Sequence, residues 1–108
     1  MSNCIFCQIA AGKIPAQKVY EDEHCLAFKD IHPKAPVHVL LIPKKHIDSL
    51  AHAEAEDQVL LGHLSLTLGK IAKQLGVSHG FRTQIHTGKA GGQEVFHLHY
   101  HILAEAGK

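Results

Sequence analysis

Residues 97–103 read His97-Leu98-His99-Tyr100-His101-Ile102-Leu103, with a histidine at every second position. Side chains alternate between the two faces of a β-strand, so this pattern predicts a strand with three imidazoles on one face and Leu98, Tyr100 and Ile102 on the core face. Neighbouring imidazoles would be rooted about 7 Å apart, which is twice the rise of about 3.3 Å per residue. One small anion or one metal ion could therefore contact more than one of them.

Three interpretations of these histidines compete. A polar face in contact with solvent is the ordinary account of a single histidine, but strict alternation of three disfavours it. A catalytic zinc site would combine two histidines at i and i+2 with a third nitrogen from elsewhere in the chain. A phosphoryl site would use a neutral imidazole as nucleophile, with its neighbours stabilising charge on the phosphate.

The loop just before this stretch bears on the choice. Residues 88–94 contain three glycines, Gly88, Gly91 and Gly92, whose backbone N–H groups can approach an anion closely. A glycine-containing turn is weak evidence alone. Joined directly to a row of histidines, it favours a phosphate over a bare metal.

The rest of the chain predicts an α+β domain with a mostly antiparallel sheet and one long helix packed on a face. The helix is predicted from apolar residues spaced by three and four between about Glu54 and Leu75, with Gly76 after its end. The other expected elements are a short helix at Ile5–Ala11, strands at Val19–Glu21, Cys25–Phe28, Val37–Ile42, Phe81–His86 and Val95–Leu103, and a loop at 87–94.

Composition limits the possible functions. The 108 residues (11.8 kDa) suit a single domain, 1–108, and a formal charge of +1 gives no reason to expect a nucleic-acid or membrane-surface partner. No apolar run approaches the roughly 18–20 residues of a spanning helix, and the start carries no secretory pattern, so we expect a soluble cytoplasmic chain. In that compartment the Cys4-x-x-Cys7 spacing indicates metal or redox use, and Cys25 is expected to be a small core residue.

Several motifs together identify a family resemblance. Residues 97–103 have the full His-φ-His-φ-His-φ-φ form, with φ apolar, that defines the histidine triad (HIT) superfamily. The chain resembles that superfamily, and its Hint-like branch, from about Cys4 to Leu103. The further motifs that carry the resemblance are Phe28–Ile31, Ala35–His38, Ile42–Ile47 and Gly91–Phe96.

The resemblance implies a HIT-like meander of about five antiparallel strands, in a homodimer, and hydrolysis or transfer of nucleotides at the α-phosphate. Expected substrates are purine nucleoside phosphoramidates or adenylylated amines of the AMP or GMP type, and no cofactor is required for catalysis. By position, His99 is the nucleophile that takes the nucleoside monophosphate covalently, and His101 binds the phosphate and stabilises its charge. Asp30 corresponds to the carboxylate that holds the ribose hydroxyls.

Other family positions match residues around this centre. The apolar residues expected to sandwich the base are Ile5, Phe6, Ile9, Ile14, Phe28 and Ile31. Gly92, Gln93 and Glu94 match positions that touch the phosphate or the leaving group, and His38 is expected to flank the site. The chain departs from the branch at His86, where an asparagine is usual, and at Glu94, where some members carry a serine.

The N-terminal cysteines resemble those of zinc-binding members of the superfamily. The resemblance implies a structural zinc held by Cys4, Cys7, His46 and His97. His97, the first histidine of the triad, cannot serve both zinc and phosphate, so with zinc bound its role is structural. Surface or turn positions are expected for the remaining histidines, His24, His32, His52, His63 and His79.

Two alternatives to an enzyme remain open at this point. One is a catalytically weak sensor or scaffold that binds purine nucleotides, for which His86 is the best argument in the sequence. The other is a protein that only binds metal.

Overall fold

The computed structural model describes residues 4–105. It contains a five-stranded antiparallel sheet, a short helix before the sheet and one long helix, which confirms the α+β class. The elements are α1 (Ile5–Ala10), β1 (Lys18–Glu21), β2 (Cys25–Lys29), β3 (Val37–Pro43), α2 (Gln58–Gln74), β4 (Arg82–Gln84) and β5 (Tyr100–Ala104), with short 3₁₀ turns at Leu50–His52, Ala55–Asp57 and Lys89–Gly91.

The strands lie in the order β1, β2, β3, β5, β4. The first three form a meander, and β5 then lies between β3 and β4, so the histidine strand is central rather than at an edge. Its register pairs His101 with Leu40 of β3 on one side and with Gln84 of β4 on the other. Directly opposed residues share a face of the sheet. These three side chains therefore lie on one face.

The two faces of the sheet have different coverings. On one face, α2 packs Leu64 and Ile71 against a buried cluster that includes Leu98, Tyr100 and Ile102. On the other, α1 packs Phe6 and Ile9 against Leu26, Phe28, Leu40 and Ile42. The prediction that Leu98, Tyr100 and Ile102 face the core under the long helix is confirmed.

The ends of α2 follow from local chemistry. The 3₁₀ turn at Ala55–Asp57 precedes it, and Glu54 and Asp57 form a reciprocal capping box there, which satisfies backbone N–H groups that have no partner in the first turn. At the other end Gly76 has φ +76°, a conformation that glycine adopts without steric cost. The helix is thus close to its predicted span, with its first turn replaced by the 3₁₀ turn.

Two predicted strands are shorter in the structure. The last strand begins at Tyr100, not at Val95, and β4 covers Arg82–Gln84 within the predicted Phe81–His86. In the β3–β5 register Pro43 would oppose Leu98, but proline has no N–H to donate to a ladder. The Leu98 N–H donates instead to the Ile47 carbonyl at 2.6 Å. His97 and His99 therefore lie on the irregular segment, with a bend at 95–97, that leads into the strand.

Across residues 4–105, the structure contains no helix with the length and apolar character needed to span a bilayer.

Candidate functional site

The face of the sheet on the α1 side carries a cluster of imidazoles. The ring centroids of His99 and His101 are 5.0 Å apart, and Phe6 of α1 stands edge-on to the His99 ring at 5.2 Å. The prediction that these two imidazoles share a face is confirmed, although only His101 lies within the strand itself.

One ring nitrogen of His99 is fixed by the backbone. Its Nδ1 lies 2.8 Å from the carbonyl oxygen of His97, and because a carbonyl can only accept, Nδ1 must carry the proton. In the neutral ring Nε2 then holds a lone pair. Burial lowers the pKa of His99, against the opposing effect of this hydrogen bond. The neutral and nucleophilic form is thus the one that this environment favours.

A chain of hydrogen bonds sets the opposite tautomer in His101. The backbone N–H of Lys34 donates to Nδ1 of His38 at 3.0 Å, so the proton of neutral His38 is on Nε2. That Nε2 lies 2.9 Å from Nδ1 of His101 and donates to it. His101 must then carry its own proton on Nε2, which makes that nitrogen a donor.

The donor of His101 has no acceptor among the described residues. Its Nε2 is the one buried side-chain nitrogen or oxygen without a partner within residues 4–105. A buried donor without an acceptor costs about 1–3 kcal/mol. Since His101 lines both cavities, this donor indicates a place for a ligand oxygen.

Burial keeps the imidazoles of this relay neutral near pH 7. It lowers the pKa of His101 to about 4, helped by the neighbouring imidazoles of His99, His38 and His86. It also lowers the pKa of His38, whose Nε2 lies 3.4 Å from the Asp30 carboxylate that opposes the shift. The relay therefore presents a neutral N–H, and not a positive charge, to the cavity.

Two cavities meet at these histidines. Both are lined by Asp30, Glu94, His99 and His101. The first, of about 390 Å³, is mainly apolar, and its other lining residues are Ile5, Phe6, Ile9, Ile14, Pro15, Ala16, Gln17, Phe28, Lys29, Ile31, Leu40 and Val95. The second, of about 420 Å³, is polar, and its other lining residues are His32, Lys34, His38, Arg82, Gln84, His86, Gly92 and Leu103.

The apolar cavity collects all six residues predicted from the family to sandwich a base. Phe6, Ile9 and Phe28 form its buried wall. Ile5 and Ile31 stand at its mouth, with 48% and 85% of their surface exposed. Exposed large apolar side chains around a cavity mark a binding surface.

The polar cavity contains the two positions where the chain departs from the branch. The His86 ring lies 4.9 Å from His101, and Glu94 lies at the junction of the cavities. Gly92, at φ +92°, passes close to the His86 ring, since a Cβ there would lie 3.9 Å from it. Because Gly92 has no side chain, the backbone of the loop can lie close to the His86 ring.

Gln93 lies outside both cavities. It is buried, with 3% of its surface exposed, and its Oε1 accepts from the Gly88 N–H at 2.8 Å. Its Nε2 donates to the carbonyls of Asp48 and Val95 at 2.7 and 3.0 Å. In the structure Gln93 therefore holds the glycine loop in place by hydrogen bonds. It does not line either cavity, whereas the family resemblance implies a direct ligand contact.

Cys4, Cys7, His46 and His97 form a second cluster, separate from the cavities. One potential ligand atom from each lies within 4.8 Å of the others. The Cys4 sulfur is 3.2 Å from Nδ1 of His97, and the Cys7 sulfur is 3.3 Å from Nδ1 of His46. Zinc bonds of about 2.3 Å to sulfur and 2.05 Å to nitrogen, at a tetrahedral angle, would place S and N about 3.6 Å apart. The cluster has the right donors and nearly the right spacing.

The surroundings of this cluster orient both imidazoles. Nε2 of His97 donates to the Pro43 carbonyl at 2.8 Å, and Nε2 of His46 donates to the Asp48 carboxylate at 2.6 Å. Both Nδ1 lone pairs therefore point toward the sulfurs, as metal-binding histidines require. Burial and the neighbouring Cys4 raise the pKa of the Cys7 thiol, an effect that a divalent cation between the sulfurs would reverse.

Sequence reasoning missed five residues of the polar cavity: His32, Lys34, Arg82, Gln84 and Leu103. A signal for two of them was present, because Arg82 and Gln84 alternate with His86 and a strand places such residues on one face. Lys34 gave none, since its position depends on the turn that links β2 to β3. Sequence reasoning also missed Asp48, although it follows His46 by only two residues and its carboxylate accepts from that ring.

Comparison with known proteins agrees with this geometry. Protein HitA of Neisseria gonorrhoeae is 63% identical over 103 residues, which cover 95% of this chain and 96% of that protein. A HIT family hydrolase from Legionella pneumophila superposes with a TM-score of 0.92 at 46% identity, over 94% of this chain and 92% of that one. A histidine triad nucleotide-binding protein from Candida albicans gives 0.85 at 32% identity, over 93% and 73% of the two chains.

The model of the HIT domain family matches residues 11–108. That range includes the triad, Asp30 and the glycine loop, and thus every polar group that lines the two cavities. The chain therefore belongs to the HIT domain family.

Proposed function

We propose that this protein is a Hint-like nucleotide hydrolase or nucleotidyl transferase. Its proposed substrates are purine nucleoside phosphoramidates or adenylylated amines, which it attacks at the α-phosphate. One observation carries the proposal. At the junction of an apolar and a polar cavity, the Nε2 lone pair of His99 lies beside the unpartnered N–H of His101.

The cavities suit the parts of such a substrate. A purine ring would lie between the apolar side chains, with exposed Ile5 and Ile31 covering its edges. The Asp30 carboxylate lies at the inner end of that cavity and can accept from ribose hydroxyls. One oxygen of Asp30 already accepts from the His32 N–H at 2.8 Å, which orients the group.

The α-phosphate would then lie between His99 and His101. In the first step, Nε2 of His99 forms a bond to phosphorus while the bond from phosphorus to the leaving nitrogen breaks. The leaving nitrogen takes up a proton and departs as an amine. His101 donates its Nε2–H to a phosphate oxygen, where negative charge increases in the transition state.

Water completes the reaction in the second step. It attacks phosphorus, the bond to His99 breaks, and the electron pair returns to Nε2. The water gives up a proton, which balances the proton taken by the amine in the first step. Imidazoles supply the nucleophile and the donor, so the proposal needs no cofactor in catalysis.

We also propose a structural zinc ion held by Cys4, Cys7, His46 and His97. When bound, zinc would link α1 to the segment that carries the nucleophile, because Cys4 is its N-cap residue and His97 is two residues before His99. The support is the orientation of both Nδ1 atoms and the S to N distances of 3.2–3.5 Å.

We propose a homodimer in which the outer face of α2 contacts the second copy. Val59 and Leu66, seven residues apart and thus on one side of the helix, have 85% and 80% of their surface exposed. Between them, Gly62 would allow a second helix to approach closely, since nothing lies within 4 Å of a Cβ built there. Strand β4 forms one edge of the sheet. A second copy that covers this helix face would bury the exposed side chains.

The first test is AMP release from an adenosine 5′-phosphoramidate. We expect the wild type to release AMP, and His99→Ala to lose about 10³-fold in kcat/KM because no other lone pair faces the phosphate, which is about 4 kcal/mol of barrier. The control is His79→Ala, an exposed histidine in a turn. Full activity of His99→Ala would contradict the nucleophile assignment. Tight AMP binding by the wild type without release from any phosphoramidate would favour the sensor or scaffold.

A second prediction concerns pH. Protonation of Nε2 removes the lone pair of His99, and burial lowers its pKa, so the acid limb of kcat/KM should lie below pH 6.5, the ordinary value for histidine. We expect a plateau from pH 8 down to about 6.5, followed by a fall. Circular dichroism at each pH confirms that the chain remains folded. An acid limb centred above pH 6.5 would refute the assigned environment.

Metal content tests the zinc proposal. Protein expressed in zinc-supplemented medium should contain one zinc per chain, and Cys4→Ser and Cys7→Ser should lose it because a closed tetrahedral site needs four ligands. Cys25→Ala is the matched control. Cys25 begins β2 and is fully buried in the cluster that α2 covers, so this variant should keep its zinc. Chelation should lower the Tm of the wild type but not of Cys4→Ser. Metal-replete wild type without zinc would exclude the site.

Sedimentation equilibrium tests the homodimer. The wild type should sediment at about twice the chain mass of 11.8 kDa, and Leu66→Arg should sediment at the mass of one chain, because it places a charge in an apolar contact. Glu23→Arg introduces the same charge at the turn after β1, beside the opposite edge of the sheet, and should remain dimeric. A dimer that persists in Leu66→Arg would mean that α2 does not form the contact.

A further inference from the structure

We infer that the leaving group of the substrate carries a negative charge and that Arg82 and Lys34 recognise it. The inference rests on the proposed function, because it assigns the polar cavity to the part of the substrate that departs. The chemistry concerned is a carboxylate or a phosphate on the leaving amine.

The first argument is the distribution of charge between the two cavities. Their two carboxylates, Asp30 and Glu94, lie at the junction and line both. The residues that line the polar cavity alone include two permanent cations, Lys34 and Arg82, and no carboxylate. The cavity therefore becomes more positive with distance from the reacting phosphorus.

The sheet register explains how Arg82 reaches this position. Gln84 opposes His101 and Arg82 opposes Leu103, so both side chains lie on the face of the catalytic imidazoles. Two residues of strand place Arg82 about 7 Å beyond Gln84. This distance suits the far end of a leaving group attached to phosphorus at His101.

Lys34 reaches the cavity from the other side. Its backbone N–H donates to Nδ1 of His38, the first bond of the relay that ends at His101. The turn that carries Lys34 is therefore tied to the catalytic centre, although the Lys34 side chain itself is exposed. Arg82 and Lys34 thus flank the cavity from β4 and from the turn between β2 and β3.

Neither cation is paired with a carboxylate among residues 4–105. Three other lysines do have carboxylate partners: Lys18 and Lys44 pair with Glu21, and Lys45 pairs with Glu56 and Asp57. Two unpaired cations beside one cavity repel each other, and they also repel a cationic leaving group. An anionic leaving group is attracted to both and offsets their mutual repulsion. Arginine also presents a planar fork that matches a carboxylate or a phosphate.

The test uses adenosine 5′-phosphoramidates that differ only in the charge at the end of the amine. The amines are β-alanine, which bears a carboxylate, n-butylamine, which is neutral, and 1,3-diaminopropane, which bears an ammonium. A fourth substrate made from 2-aminoethyl phosphate compares phosphate with carboxylate. AMP release gives kcat/KM for each, and where no AMP is released calorimetry gives Kd.

We expect kcat/KM to fall in the order anionic, neutral, cationic, with the β-alanine substrate about tenfold above the n-butylamine substrate. Exposed ion pairs each contribute up to about fivefold, and two are available. In Arg82→Gln and Lys34→Gln the ratio between these two substrates should shrink, and Arg82→Glu should invert the order. Raising NaCl from 20 to 500 mM should also shrink it. Lys73→Gln, at the end of α2, should leave the ratio unchanged.

The outcomes separate this inference from the proposed function. Release of AMP from all substrates with equal kcat/KM, or a preference for diaminopropane, would overturn the charge assignment while leaving the hydrolase intact. Absence of AMP release from every substrate would contradict the hydrolase. The order of Kd then decides the charge assignment, which stands if the β-alanine compound binds tightest and Arg82→Gln weakens it, and is overturned otherwise.

Discussion

The hydrogen bond from Nδ1 of His99 to the carbonyl of His97 is the contact on which the rest of the site depends. It places the lone pair on Nε2 and turns the ring toward the junction of the cavities. The same His97 directs its own ring to the cysteines through the Pro43 carbonyl. His97 thus orients the His99 ring with its backbone carbonyl and takes part in the cluster of Cys4, Cys7 and His46 with its side chain, so the geometries of the two sites are coupled.

The imidazoles of His99 and His101 differ because their Nδ1 atoms have different partners. A carbonyl makes Nδ1 of His99 a donor, whereas His38 makes Nδ1 of His101 an acceptor. Two copies of one side chain therefore present a lone pair and an N–H to the same small volume. Burial keeps both rings neutral near pH 7, which preserves this difference in the working range of the site.

Period-two alternation in residues 97–103 was enough to predict the face of His99 and His101 and the buried positions of Leu98, Tyr100 and Ile102. The same pattern predicted too long a strand, with its start at Val95 instead of Tyr100. A strand also needs N–H donors on its partner, and Pro43 has none. The six apolar residues that motif position predicts to sandwich a base do line one cavity. Motif position could not show that the Gln93 amide is used within the loop, or that Arg82 and Lys34 meet across a cavity, because those relations depend on register and on turns remote in the sequence.

The cluster at Cys4 and His97 joins residues that are 93 positions apart. Closing so long a loop costs chain entropy that only the assembled sheet can offset, and contacts of this separation slow folding. Helix α1 is synthesised well before His97 and His99, whose rings Phe6 contacts. The apolar cavity, which His99 and His101 also line, is therefore complete only after residue 101 has joined the sheet.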